Sequence, residues 1–245
     1  MIDACELWAG GPVFRQDAGA KLSTDSVLLA DFVKLHGAER GIDLGCGAGI
    51  LSLLLLCSSE KLHMTGLELR EEAAALAREN LARNGFGERS EILTGDIREH
   101  RSLFAHGSFH LAVANPPYFP EGSGASSPDP ARAGAREERD CTLPELCAAA
   151  AFLLPTGGRF CLVHRPERLA ELLMCMRESG LEPKRMRFVS ARADAAPSLV
   201  LVEGRRGGRP GLIVEPPLIL QDAEGRESGE VRRIYHREEG IRNRE

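Results

Sequence analysis

Apolar positions along the chain follow two alternating spacings. Stretches in which apolar residues recur every three or four positions predict helices, and short runs of aliphatic and β-branched residues predict strands. Helices are predicted over residues 24–34, over the strongly apolar stretch after Gly49, and over residues 71–84, 142–154 and 167–179. Strands are predicted over residues 41–44, 64–69, 91–93, 110–114, 159–164, 187–190 and 198–203.

Strands that alternate with helices are typical of an α/β protein with a mostly parallel sheet covered on both faces. The last two strands leave no room for a helix between them, so we expect them to pair antiparallel. One domain is predicted over residues 1–245. Outside the sheet we expect a short N-terminal extension (1–40) that is irregular before the helix at 24–34, a long loop that is either a mobile lid or disordered (121–140), and a tail (204–245) in which only residues 211–220 pack.

Composition narrows the class of protein. The 245 residues are 43% hydrophobic and 27% charged, which is the balance of an ordinary folded globular protein. The formal net charge of −5 excludes a protein that coats nucleic acid over its whole surface, so any nucleic acid must bind through a local basic patch. The longest apolar run, residues 50–57, is far shorter than the roughly 20 residues of a membrane span. We expect a cytoplasmic protein with no membrane partner.

The cysteines and lone histidines indicate no metal site. Seven cysteines occur, an odd number, and none forms a Cys-x-x-Cys pair, so neither a disulfide framework nor a zinc knuckle is predicted. His63, His100 and His106 lack metal-ligand spacing and are interpreted as surface or packing residues.

The first motif that carries chemistry is a glycine-rich turn, Asp43-Leu-Gly45-Cys-Gly47-Ala-Gly49, between a predicted strand and a predicted helix. Glycine lets the backbone turn sharply and approach a ligand closely, and a helix N-terminus presents unpaired N–H groups. The spacing Gly-x-Gly-x-Gly differs from the dinucleotide fingerprint, and no Gly-Lys-Ser/Thr follows, which excludes a P-loop.

Two acidic residues follow this turn at the ends of the next two strands. Glu68 comes about 20 residues after the last glycine, where an acid receives ribose hydroxyls in nucleoside-binding α/β folds. Asp96 follows the third strand, where it is placed to lie near an adenine. The glycine turn, Glu68 and Asp96 in this order predict a site for a nucleoside cofactor.

This succession resembles the class I S-adenosylmethionine-dependent methyltransferases. The resemblance implies a Rossmann-like, seven-stranded, mostly parallel sheet with a C-terminal antiparallel hairpin, and S-adenosyl-L-methionine as cofactor. The glycine turn would hold the methionine portion, Glu68 the ribose and Asp96 the adenine amine, while the segment before the first strand closes over the methionine carboxylate. The implied cofactor-binding residues are Lys21, Thr24, Asp25, Asp43, Gly45, Gly47, Gly49, Glu68, Leu69, Asp96, Ile97 and Asn115.

A second motif, Asn115-Pro116-Pro117-Tyr118, comes directly after the fourth strand. The residue before a proline is held extended and two prolines stiffen the turn, so Asn115 Oδ1 and the Pro116 carbonyl can converge as two fixed acceptors beside the flat face of Tyr118. This arrangement suits a planar NH₂ group, as on adenine, cytosine, guanine or glutamine. Accepting both N–H bonds frees the nitrogen lone pair for in-line attack on a sulfonium methyl. We therefore predict catalysis by positioning and oriented dipoles, without a His or Glu base.

Asn-Pro-Pro-Tyr resembles the signature of amino-methyltransferases that act on adenine or on protein glutamine. The stretches TDSVLLADFV, NPPYF, GGRFCLVHRPERLAELL and LEPKRMRFV are similar to the tRNA1(Val) (adenine-N6)-methyltransferase family, over nearly the whole chain. The resemblance implies methylation of the N6 amine of the adenosine 3′ of the anticodon in tRNA(Val), with Asn115, Pro116, Pro117 and Tyr118 catalytic. The alternatives are an N5-glutamine protein methyltransferase, methylation of an adenine or guanine amine in another RNA or in DNA, and a catalytically silent binding scaffold.

Basic residues are concentrated locally although the chain is acidic, and tRNA is therefore the expected partner. Three groups are expected along the substrate rim, where they would meet phosphates. They are Arg132, Arg136 and Arg139; His164, Arg165 and Arg168; and Arg205, Arg206 and Arg209. The implied substrate-binding residues are Tyr118, Phe119, Arg136, Arg165 and Arg168.

Overall fold

A computed structural model describes residues 3–16, 24–36, 39–116 and 141–237. The predicted site residues Lys21, Pro117, Tyr118, Phe119 and Arg136, and the predicted 121–140 loop, lie outside the described residues. Among the described helices, none is long and apolar enough to cross a membrane.

The described helices and strands follow one another in the predicted alternation. The helices are α1 (Thr24–Phe32), α2 (Ile50–Cys57), α3 (Glu71–Arg83), α4 (His100–Leu103), α5 (Leu143–Leu153), α6 (Leu169–Glu178) and α7 (Gly229–Ile234). The strands are β1 (Asp3–Glu6), β2 (Val13–Gln16), β3 (Arg40–Leu44), β4 (His63–Glu68), β5 (Ser90–Thr94), β6 (Leu111–Ala114), β7 (Arg159–His164), β8 (Leu181–Ser190), β9 (Pro197–Arg206), β10 (Ile213–Val214) and β11 (Leu218–Ile219).

In the described part of the chain, the main sheet has the strand order β10-β8-β9-β7-β6-β3-β4-β5, and β11 also pairs with β8. Strands β3 to β7 are mutually parallel, and β9 runs antiparallel to both β7 and β8. The predicted α/β class and the antiparallel terminal pair are thus confirmed. The seven predicted strands are β3 to β9, and β10 and β11 extend the sheet by two short strands parallel to β8.

Helices cover both faces of this sheet, as the apolar pattern of its central strands requires. Along β7, Cys161 and Val163 face the layer that contains α1, α2 and α3, whereas Phe160 and Leu162 face the layer that contains α5 and α6. All four side chains are fully buried. A strand buried on both faces reads as a continuous apolar run, which is why RFCLV was recognisable as a strand.

The residues before α1, predicted to be irregular, in fact include the hairpin β1–β2. The free edge of β2 is paired by the amide side chains of Asn80, in α3, and of Asn84, directly after α3. Asn80 accepts from Arg15 N at 2.8 Å and donates to Arg15 O at 2.9 Å, and Asn84 bonds Val13 N and O at 2.9 and 2.8 Å. Because these bonds join residues more than 60 positions apart, no local pattern reveals the hairpin.

The terminal strands are longer than predicted. β8 starts at Leu181, six residues before its predicted start. Pro183 does not interrupt the strand, because it sits at a bulge where a missing N–H donor is tolerated. β9 continues to Arg206, so the segment outside the main strands begins later than residue 204. Within residues 211–220, Leu218 is buried as expected, but Ile213 and Val214 of the edge strand β10 are exposed.

Two buried arginines of the sheet hold the C-terminal end of α1. Arg185 Nη2 donates to the Phe32 carbonyl at 2.6 Å, and Arg159 Nη1 donates to the Lys34 carbonyl. The last carbonyls of a helix have no partner within the helix, and a cation there also favours the helix dipole. Arg159 in turn pairs with Glu39 at 2.6 Å, and both side chains are less than a tenth exposed.

We predict that Arg159→Met strongly destabilises the protein, because it leaves the Glu39 carboxylate buried without its cation. Breaking a buried pair in this way costs about 3–5 kcal/mol. The matched control is Arg226→Met, which removes a guanidinium that is 73% exposed and paired with Asp222. We expect the control to change the free energy of unfolding by less than about 0.5 kcal/mol in urea titrations. Equal losses in both variants would contradict the prediction.

Candidate active site

Most of the described residues predicted for cofactor binding and catalysis lie at the carboxyl edge of the sheet. Asp43 of β3 is in register with Gly66 of β4 on one side and Val113 of β6 on the other, so the segments that follow these strands emerge side by side. After β3 the chain adds β4 and β5 on one side of the sheet, and after β6 it adds β7 on the other side. The boundary between β3 and β6 is therefore a topological switch point. Ligands of open α/β sheets bind in the crevice at such a point.

The glycine turn after β3 requires its glycines for two different reasons. Gly45, Gly47 and Gly49 have φ values of 76°, 53° and 83°, a backbone conformation that favours glycine. A Cβ at Gly49 would lie 3.1 Å from the Cβ of Ala77, so this glycine allows the turn to approach α3. At Gly47 no atom lies within 4 Å of the Cβ position, and at Gly45 the nearest is Ile97 Cδ1 at 4.0 Å. The turn therefore borders open space.

The carboxylate of Glu68, at the end of β4, is fixed by this turn. Gly47 N–H donates to Glu68 Oε2 at 2.9 Å, and Arg70 donates to Oε1 from its backbone N at 3.1 Å and from Nε at 3.3 Å. Gly45 N–H also donates to the Leu67 carbonyl at 2.8 Å. Glu68 is only 6% exposed. A carboxylate accepts about four hydrogen bonds in all, so capacity for a hydroxyl donor remains.

Asp43 lies beneath the turn and is 1% exposed. Ser52 of α2 donates from Oγ to Asp43 Oδ2 at 2.9 Å, which explains the single polar residue within the apolar run ILSLLLLC. Burial raises the pKa of Asp43 to about 7, partly opposed by the bonds from Ser52 and reinforced by the nearby negative charge of Glu68. Asp43 is therefore a structural support of the turn that titrates near neutral pH.

Asp96 begins the short turn of 3₁₀-helix that follows β5. Its side chain accepts from Arg98 N at 2.8 Å and from the Arg98 guanidinium, and these bonds hold the pKa of the Asp96 carboxyl below its usual value. Two apolar side chains accompany it. Ile97 lies beside Gly45, and Leu69, directly after β4, is 40% exposed. An ionised acid with apolar neighbours is the kind of surface that accepts an amino-substituted aromatic ring.

Asn115, directly after β6, is held by a residue that its own motif does not reveal. Asn115 Nδ2 donates to Oγ of Ser26 at 2.9 Å, and Ser26 is 3% exposed in the first turn of α1. The same turn contains Thr24 and Asp25, so these two predicted contacts also lie near Asn115. Pro116, the next residue, is half-buried. No sequence signal distinguishes Ser26, because α1 begins with three polar residues, Thr24, Asp25 and Ser26.

Comparison with known proteins identifies the family. Residues 12–178 match the methyltransferase small domain. A tRNA1(Val) (adenine(37)-N6)-methyltransferase of Tolumonas auensis is 32% identical over 211 residues, which cover 86% of each chain.

The chain belongs to the methyltransferase small domain family and, within it, to the tRNA1(Val) (adenine(37)-N6)-methyltransferases. Solved structures show that it has the class I methyltransferase fold. A predicted O-methyltransferase of Agrobacterium tumefaciens superposes with a TM-score of 0.70 at 24% identity, covering 87% of this chain and 96% of the other. A geranyl diphosphate C-methyltransferase of Streptomyces coelicolor, solved with S-adenosyl-L-homocysteine, has a TM-score of 0.55 at 14% identity, over 74% of this chain and 79% of that chain.

The structure corrects part of the predicted basic rim of this methyltransferase. His164 is fully buried, and burial together with the nearby Arg168 cation lowers its pKa to about 4, so it is neutral at pH 7 and is not a surface cation. Arg205 is in register with Arg159 at the start of β7, at the sheet edge opposite the candidate site. Arg206, next along β9, lies at that same far edge. The prediction that these three residues lie on the rim was wrong. The antiparallel direction of β9 and the burial of His164 cannot be read from the positions of basic residues in the sequence.

Arg165 and Arg168 lie after the carboxyl end of β7, on the same edge as the candidate site. Arg165 Nη1 donates to the Ser198 carbonyl at 2.8 Å. The Arg168 side chain is 12% exposed and forms an ion pair with Glu171 at 2.7 Å. Both residues thus have structural contacts, and their predicted role in substrate binding stays a prediction.

The buried Asp43 predicts a pH-dependent stability. An unfolded aspartate has a pKa of about 3.9. Because the folded pKa is raised, the contribution of Asp43 to stability is complete below pH 4 and is lost as the pH rises through about 7. Asp43→Asn removes this dependence. We expect the free energy of unfolding of the variant, relative to the parent protein, to rise by up to about 3 kcal/mol between pH 5 and pH 8.

The measurement is a pair of urea titrations at each pH. Asp194→Asn is the control, because the Asp194 side chain is 78% exposed. Its difference from the parent protein should stay constant with pH. A constant difference for Asp43→Asn as well would show that Asp43 does not titrate in this range.

Proposed function

We propose that this methyltransferase transfers a methyl group from S-adenosyl-L-methionine to N6 of the adenosine 3′ of the anticodon in tRNA(Val), and that residues 1–245 form one domain for this reaction. The activity for which relatives such as the Tolumonas auensis enzyme are named supports this substrate. The observation that carries the proposal is the Asn115 side chain, held by Ser26 at 2.9 Å directly after β6, the neighbour of the strand whose glycine turn binds Glu68. This arrangement suits a planar amine presented to a nucleoside cofactor.

The edge around β3 and β4 fits the cofactor. The open space over Gly45 and Gly47 admits a ligand close to the backbone, and a Cβ at either position would begin to fill it. Glu68 is held by two different segments, so its remaining acceptor capacity can receive a ribose hydroxyl without reorganisation. Asp96, with Leu69 and Ile97 as apolar neighbours, would accept the adenine amine. The cofactor supplies an electrophilic methyl group on a sulfonium.

Asn115 and Pro116 perform the chemical step by orientation. The Asn115 amide oxygen and the Pro116 carbonyl accept the two N–H bonds of the target amine, which favours a tetrahedral nitrogen and a localised lone pair. Preorganised dipoles of this kind stabilise charge that develops in the transition state. The amine nitrogen becomes acidic on methylation and releases its proton to water. No His or Glu of the chain is assigned as a base.

The tRNA would approach the same edge of the sheet. Tyr118, beyond the described residues, would stack on the target base together with Phe119, and Arg136 would meet the backbone. Arg165, whose guanidinium binds a backbone carbonyl of β9, would contribute positive potential near this edge. Arg168 is the weaker candidate, because its charge is neutralised by Glu171.

Binding of S-adenosyl-L-homocysteine tests the cofactor. A ligand at about 100 times its dissociation constant adds about 2.7 kcal/mol to the free energy of unfolding, so the melting temperature of the parent protein should rise. Glu68→Ala should reduce this rise, because the ribose acceptors are lost. Glu60→Ala, an exposed acid outside the site, should bind like the parent protein. The absence of any shift in the parent protein at millimolar ligand would refute the cofactor assignment.

Substitution of Asn115 tests the chemical step. Asn115→Ala removes one preorganised acceptor, and the single-turnover rate should fall about 10²–10³-fold. Asn115→Asp keeps an acceptor but places a negative charge near the sulfonium, which favours the ground state, so its rate should also fall. Cofactor affinity measured by calorimetry should change only a few-fold in both variants. A near-parent rate in Asn115→Ala would mean that another group activates the amine.

The product of this reaction decides the substrate. With tRNA(Val) and labelled cofactor, digestion of the RNA should yield labelled N6-methyladenosine. Label in another nucleoside, or in a glutamine of a protein substrate, would show that the target is not the tRNA adenosine. The proposed chemistry of amine methylation would still hold.

A further inference from the structure

We propose that Ser26 is a positioning residue for methyl transfer, and that it holds the Asn115 amide in place for the target amine. This inference rests on the proposed function, because it assigns a role within that reaction. Ser26 is 3% exposed, and its Oγ accepts a hydrogen bond from Asn115 Nδ2 at 2.9 Å.

The two ends of an asparagine amide have nearly the same shape but opposite hydrogen-bonding properties. Oδ1 accepts, whereas Nδ2 donates, and only the oxygen can receive an N–H of a target amine. If the amide of Asn115 were rotated by half a turn, its Nδ2 donor would face the N–H donor of the target amine. In the structure the hydrogen bond to Ser26 Oγ holds Nδ2 toward α1, and Oδ1 then lies at the opposite corner of the amide.

Ser26 can fix this orientation because α1 is itself rigidly placed. Leu28, Leu29 and Phe32 of α1 are buried in the core layer, and the arginine contacts at Phe32 and Lys34 hold the end of the helix. The Ser26 Oγ is therefore a hydrogen-bonding partner held in a fixed position, 89 positions from Asn115 in the chain. An alanine at this position would keep the helix but remove the acceptor from Nδ2.

A double-substitution cycle tests the inference on the full chain, with tRNA(Val) and labelled cofactor under single-turnover conditions. Ser26→Ala should lower the rate about 3- to 10-fold, the range given by the loss of one hydrogen bond. Calorimetric affinity for S-adenosyl-L-homocysteine should stay within about twofold, since one neutral contact outside the cofactor edge is changed. In the Asn115→Ala background the same substitution should have no further effect, because the amide through which Ser26 acts is absent.

Two further variants separate positioning from folding. Ser26→Thr keeps the hydroxyl and should recover most of the rate lost in Ser26→Ala. Val27→Ala trims a buried residue of the same helix, so it should lower the melting temperature while the single-turnover rate of the folded protein is unchanged.

Parent-like activity of Ser26→Ala would overturn the inference and leave the proposed function intact. An equal loss in the parent and Asn115→Ala backgrounds would also overturn it, because Ser26 would then act through the fold. A parent protein that binds S-adenosyl-L-homocysteine but methylates no RNA would instead refute the proposed function, and with it the role given to Ser26.

Discussion

The anchoring of α1 by two buried guanidinium groups is the interaction on which the candidate site depends. Arg185 binds the carbonyl of Phe32, the last residue of the helix, and Arg159 binds the carbonyl of Lys34 just after it, while their charges are met by Glu203 and Glu39. Desolvated charges tolerate little displacement, because each one must keep its partners. The opposite end of α1 contains Ser26, which is thereby held at Asn115 of the Asn-Pro-Pro-Tyr motif.

A second connection joins the cofactor edge to the same framework. The hydrogen bond from Gly47 N–H to Glu68 ties the turn after β3 to the end of β4, and Asn80 of α3 donates to the Ala48 carbonyl at 2.9 Å. Asn80 also pairs with β2, so the N-terminal hairpin braces the turn from behind. The result is a preorganised edge in which backbone and side-chain groups are already oriented for a ligand, which limits the reorganisation that binding requires.

The overall acidity of the chain is compatible with a role on RNA because charge matters locally. Many arginines at the surface and in the sheet are neutralised by neighbouring acids, as Arg187 is by Glu230 and Arg233 by Asp31. Such pairs contribute little to the long-range field that attracts a phosphate backbone. A count of basic residues therefore overestimates the positive charge along the substrate rim. The position of each residue relative to the sheet edge decides whether it can contribute.

The sequence by itself determined the parallel sheet, the turn after β3, and the order of Glu68, Asp96 and Asn115, because these depend on local periodicity and on glycine and proline chemistry. The capping box at the start of α5 is equally local, because Glu145 N donates to the Thr142 side chain only three positions away. Only the tertiary structure decided the hairpin β1–β2, the burial of His164 and the pairing of Ser26 with Asn115. Each of these rests on contacts between residues far apart in the chain, and such contacts leave no periodic signal in the sequence.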